Sequence, residues 1–233
     1  MTISSRAAFH LVEIEQIVGG INGDASAQAI QLQLRSGAQG SLSATRVVAR
    51  DKDGNTPVVL FDLGAMAAPP SESRILIASS AFNTAMNGVL STDGTTAYSS
   101  NFTMTAVIPP GYLSAGKVTF ENDAGTIVYW SIAFGNYTGT NDGTADNDDD
   151  GHFGTPAVAL TTNSRGLLYR TLADVPSFSN LHTINSNEFA LTAGNATVIN
   201  ATGKMFTVVP EPGTMALLAV LGLGILAIVR RRA

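Results

Sequence analysis

Residues 213–229 carry no charged side chain, and Arg230, Arg231 and Arg232 follow them at the C-terminal end. No other feature constrains folding as much, because such a run has no polar face to turn toward water. As a helix it would rise roughly 25 Å, at the short end of what crosses a bilayer core. Leu, Ile, Val and Met dominate the run, and each Leu, Ile or Val favours insertion by roughly 0.3–0.6 kcal/mol. The arginines read as a membrane stop on the cytoplasmic side, by the positive-inside bias. The pattern predicts one transmembrane helix over residues 214–229, with the residues before 209 outside the membrane. A buried core helix of a soluble protein does not explain three arginines closing the run.

The body of the chain must then find its polar surface largely without charge. Charged residues are only 13% of the 233, about half the usual share of roughly 25%. Ser, Thr, Asn, Gln and Gly take their place, as is common on secreted β proteins. Nucleic-acid binding by counterion release needs clustered Lys and Arg, and a net charge of −5 points away from it. There is no cysteine, which excludes disulfides, thiolate metal sites and cysteine nucleophiles.

Period-two alternation marks the body as β structure. Ile30, Leu32 and Leu34 alternate with Gln31, Gln33 and Arg35. Phe102, Met104, Ala106 and Ile108 alternate with Thr103, Thr105 and Val107. Further β-rich runs are expected at 11–18, 45–50, 58–63, 74–78, 118–121, 126–134, 167–172 and 197–199. Turn chemistry separates them, as in Asn22-Gly23-Asp24, Asp53-Gly54-Asn55 and Asn122-Asp123-Ala124-Gly125. Residues 117–134 around the last of these read as a hairpin. Only 79–88 reads as a short helix. The expected class is all-β, an immunoglobulin-like or jelly-roll-type β-sandwich followed by one C-terminal transmembrane helix.

Candidate chemistry is sparse. Asp146, Asp148 and Asp150, followed by Gly151, match the first half of a calcium loop. Position twelve is Ala157 where a bidentate Glu would close an EF-hand, so any calcium site is of another kind, closed by a carboxylate such as Asp142 or Asp174. The competing reading is a solvated acidic loop. The histidines His10, His152 and His182 fall in no His-Glu-x-x-His pattern, and no Gly-x-Ser-x-Gly elbow exists. No catalytic residue is assigned, and the chain reads as a non-enzyme. Trp130, in Val128-Tyr129-Trp130-Ser131-Ile132, is a candidate sugar-stacking ligand residue if exposed, and a core residue if buried.

The tail carries a family resemblance. Pro210-Glu211-Pro212, the apolar span and the terminal arginines stand in the order of the PEP-CTERM sorting signal of Gram-negative bacteria that make extracellular polysaccharide. The resemblance implies export, transient residence in the inner membrane, and processing at or near Pro210-Glu211-Pro212 by the transpeptidase exosortase. The prolines hold Glu211 in an extended segment that an enzyme cleft can admit. Such proteins begin with a secretory signal peptide. Residues 1–20 hold only a weak apolar stretch, broken by His10 and followed by Glu13 and Glu15, so the true start is expected upstream. The opening, with Val12-Glu13-Ile14 and Ile30-Gln31-Leu32, resembles the lamin-tail-like immunoglobulin sandwich of bacterial surface proteins. The Trp130 pattern is similar to that of uncharacterised surface proteins of the same kind.

The resulting expectation is an ectodomain over 1–200, a short linker over 201–209 and a sorting tail over 210–233. Its expected role is structural or adhesive, at the cell surface or in the extracellular matrix, with extracellular polysaccharide as a partner. The other class is a secreted carbohydrate-binding or carbohydrate-cleaving domain.

Overall fold

In a computed structural model, residues 12–34, 42–63, 73–140, 153–169 and 185–209 are described. Strand β1 (Val12–Val18) runs antiparallel to β2 (Ala29–Leu34). Asn22 and Gly23 turn the chain between them at φ 51° and 90°, and the Asp24 carboxylate accepts the Ser26 backbone N–H at 2.8 Å. Strict alternation would put Val12, Ile14 and Gln16 on one face. A β-bulge between Ile14 and Gln16 changes the phase, so Val12, Ile14 and Ile17 all enter the same core.

The remaining strands are β3 (Thr45–Arg50), β4 (Val58–Asp62), β5 (Arg74–Ala78), β6 (Phe102–Thr103), β7 (Ala115–Asn122), β8 (Val128–Gly135), β9 (Gly166–Tyr169), β10 (Phe189–Leu191), β11 (Thr197–Ile199) and β12 (Met205–Thr207). Helix α1 spans Ser80–Ala85 and α2 spans Asn185–Glu188. One sheet has the order β10-β9-β1-β2-β5-β6, and a second has β4-β3-β7-β8. Their facing residues form one core. Ile14, Ile30, Leu32 and Ile77 come from the first sheet, and Val47, Val118, Phe120 and Ile132 from the second. The β7–β8 hairpin closes on a turn in which the Asn122 side-chain oxygen accepts from the N–H groups of Thr126 and Ile127.

The alternation at 102–108 does not produce a long strand. Only Phe102 and Thr103 pair, in parallel with Ile77 and Ala78 of β5. The chain then leaves the first sheet, and the Thr105 N–H donates to the Leu60 carbonyl of β4 at 2.9 Å. Gln28 holds the far end of this crossing. Its side chain donates to the Ile108 carbonyl at 2.8 Å and accepts from the Ile108 N–H at 2.8 Å. A segment bridging two sheets cannot keep one ladder.

A third layer covers the outer face of the six-stranded sheet. Val18, Ala29, Leu76 and Ala78 pack there against Phe82 and Met86 of the α1 region and against Val198, Phe206 and Val208. Ser79 caps α1, its hydroxyl accepting from the Phe82 N–H at 3.1 Å. The same outer face carries Glu13, Glu15, Gln16, Gln31 and Gln33, all buried. Glu15 is paired with Arg74 at 3.0 Å and accepts from the Gln31 amide.

Candidate functional site

The descent into the sorting tail is a packed structure. Thr197, Val198 and Ile199 pair with Thr207, Phe206 and Met205. Phe206 and Val208 are fully buried, Tyr98 meets the Phe206 ring edge-on at 5.4 Å, and the Val208 N–H donates to the Ala196 carbonyl at 2.8 Å. The hairpin turn is tied by Asn200, whose side-chain oxygen accepts from the Thr202 and Lys204 N–H groups. Lys204 then reaches Asp93 at 2.7 Å. The Lys204 ammonium, with the Ser91 and Thr95 hydroxyls, holds the Asp93 carboxyl well below the usual range. Within the span 201–209 expected as a linker, residues 205–207 pair as a strand, and Phe206 and Val208 fill the outer cluster.

Trp130, offered as a stacking residue if exposed and a core residue if buried, is buried. It is 3% exposed and belongs to the core between the sheets. A ring with no open face has nothing on which a sugar can stack. Asp146, Asp148, Asp150, His152, Pro210, Glu211, Pro212 and the arginines 230–232 lie outside the described residues, as does the span expected at 214–229. Among the described residues, no helix is long and apolar enough to cross a membrane, and no group of three His, Cys, Asp or Glu side chains is placed to hold a metal ion.

Two polar arrangements emerge that no linear motif announces. A shallow cleft of about 270 Å³ is lined by Asn83, Asn87, Tyr98, Ser99 and Ser100. Its lining is uncharged. The Tyr98 hydroxyl donates to the Asn83 side-chain oxygen at 2.9 Å, and burial pushes the Tyr98 phenol up from its ordinary value. The second arrangement lies on the outer face of the β4-β3-β7-β8 sheet. Buried Glu121 takes Arg46 on one carboxylate oxygen at 2.8 Å and Arg50 on the other at 2.8 Å. Thr119 accepts from Arg50 at 2.6 Å and donates to Glu121 at 2.8 Å. Lys117 stands beside them, its ammonium 5.5 Å from the Tyr137 ring centre and 5.4 Å from that of Phe153. Burial first, and the Arg50 charge second, bring its pKa down to about 8. Arg46 and Arg50 lie on β3, Lys117 and Glu121 on β7, and only the register of the two strands gathers them.

The described residues are predominantly β, and Val208 is the last of them in a buried cluster. Residues 208–233 match the PEP-CTERM protein-sorting motif. The motif marks the chain as an exported protein handled by exosortase. No curated protein and no solved structure matches the chain.

Proposed function

We propose that this protein is a structural or adhesive component of the cell surface or extracellular matrix, delivered there by exosortase acting on its tail. Its two facing sheets are read as an immunoglobulin-like or jelly-roll-type sandwich, and the apolar run at 214–229 as a transient inner-membrane anchor. The observation that carries the reading is the position of the sorting motif. Val208 is the last residue of the buried cluster, and the matched motif runs through the residues that follow it. Cleavage at or near Pro210 would release the β-sheet layers whole, with no core residue lost. The low charge suits a neutral, hydrated matrix, where a weakly charged surface gives little long-range repulsion.

Intact mass of the mature protein from surface and medium fractions tests this. Loss of the residues beyond about Pro210, or a heavy adduct near it, is the expected result. A chain still ending at Ala233 and confined to the inner membrane would refute processing and delivery together.

The cleft at Asn83, Asn87 and Tyr98 supports a second reading, a carbohydrate-binding domain. Amides, hydroxyls and a phenol without charge match the hydrogen-bonding needs of a neutral sugar. Calorimetry with neutral oligosaccharides should show binding that Asn83→Ala and Asn87→Ala weaken. Unchanged affinity in both variants would dispose of this site.

A further inference from the structure

We propose that Lys117 and Arg50 form a carboxylate-binding site on the outer face of the β4-β3-β7-β8 sheet. The register sets Arg50 directly opposite Lys117 across the β3–β7 ladder. Like charges in that relation destabilise a sheet, so the pair needs a reason to persist. Arg50 is partly answered by Thr119 and Glu121. Glu121 is already shared, because Arg46 occupies its other oxygen through two nitrogens at 2.9 and 2.8 Å. One carboxylate thus serves two guanidinium groups and has no oxygen left for Lys117.

Lys117 makes no hydrogen bond or close ion pair among the described residues; Glu121 attracts it from beyond contact distance, and its ammonium lies over the Tyr137 and Phe153 rings. Those rings are themselves buried and stand edge to face at 5.4 Å, so they fix the ammonium without neutralising it. The floor beneath is closed: Val48, Thr119, Ser131 and Ala133 are buried. The cations are not sealed in. The Arg46 and Arg50 side chains remain 23% and 16% exposed, and Lys117 is partly exposed. Arg46, Arg50 and Lys117 share Glu121 as the carboxylate on their own face, and Asp51 and Asp53 stand near enough to act on the Tyr137 phenol.

A lysine snorkelling into water is the ordinary alternative. It does not explain why the head group lies between two aromatic rings, nor why it faces an arginine across the strands. The chemistry that completes the site is a planar monoanion small enough to lie between an ammonium and a guanidinium. A carboxylate does this with charge-assisted hydrogen bonds to both. Its source is either a free small carboxylate or the carboxylate of a uronic acid. The site is independent of how the chain is exported.

The chain has three lysines, Lys52, Lys117 and Lys204, so two of them serve as internal controls for the third. The full chain is labelled with an amine-reactive acyl ester, and modification at each lysine is read by peptide mass. At ligand concentrations about ten times a millimolar Kd, occupancy should slow labelling of a bound amine by about tenfold. Acetate or glucuronate is expected to protect Lys117 to that extent, with Lys52 and Lys204 unchanged and glucose without effect. Equal protection by both acids identifies a small-carboxylate site, and stronger protection by glucuronate identifies a uronate site. Arg50→Gln should abolish the protection, while Arg50→Lys, which keeps the charge, should retain part of it. Absence of protection, equal protection of all three lysines, or protection by glucose would overturn the proposal.

Discussion

Replacing Lys117 with methionine should make the unliganded protein more stable. The change removes a charge and keeps a long apolar chain between the Tyr137 and Phe153 rings. A pKa lowered from 10.5 to about 8 means the folded state disfavours the ammonium by about 3 kcal/mol, at roughly 1.36 kcal/mol per pH unit. Loss of the two ring contacts takes back about 1 kcal/mol. The net expectation at pH 7 is a gain of about 2 kcal/mol for Lys117→Met. Below pH 8 the lysine is charged in both the folded and the unfolded chain, and the full cost is present. From about pH 8 toward 10.5 the unfolded chain holds the proton and the folded one does not. The unfolded state then binds more protons, so the wild type gains stability as pH rises through that window. Urea unfolding of both proteins from pH 7 to 10.5 reads the difference directly, with the slope m expected to be unchanged. The gap should shrink to under about 1 kcal/mol at the alkaline end. A variant less stable than wild type at pH 7, or a gap that does not move with pH, would refute the reasoning.

Glu121→Gln leaves Arg46 and Arg50 without their shared carboxylate; it should cost about 2–4 kcal/mol, seen as a lower urea midpoint. Phe206→Ala opens a cavity in the cluster under the last hairpin and should cost about 3–4 kcal/mol by thermal unfolding. A stability within about 0.5 kcal/mol of wild type would instead mean that residues 201–209 behave as a loose tether. Gly135→Ala should cost about 1–3 kcal/mol, because Gly135 has φ 64° and a Cβ there would run into the Ser114 carbonyl oxygen. Lowered melting temperature with unchanged far-ultraviolet dichroism checks it.

The inner face of β2 was readable from alternation alone. Ile30, Leu32 and Leu34 point where their spacing says, and the 117–134 hairpin follows from its Asn-Asp-Ala-Gly turn. The outer face was not readable. Glu13, Gln31 and Gln33 alternate as a solvent face should, yet all three are buried. Periodicity reports which residues share a face, and it cannot say what covers that face. The second strand of the last hairpin was missed because three residues are too few to show a period. Arg50 and Lys117 stand far apart in the sequence and come together only when β3 and β7 pair, since register is a long-range property. The sorting tail stood at the other extreme. Its meaning lies in contiguous residues, so a linear reading was enough to find it.

The place of Phe206 and Val208 at the end of the ectodomain has a consequence for timing. The six-stranded sheet gathers its partners from 12–18, 29–34, 74–78 and 166–169. Its outer cluster closes only when residues 196–208 arrive. A chain crossing a membrane from its N-terminal side therefore keeps an open apolar face until almost every residue ahead of the sorting motif has emerged. On that route the outer cluster can close only as the residues next to the sorting motif come through.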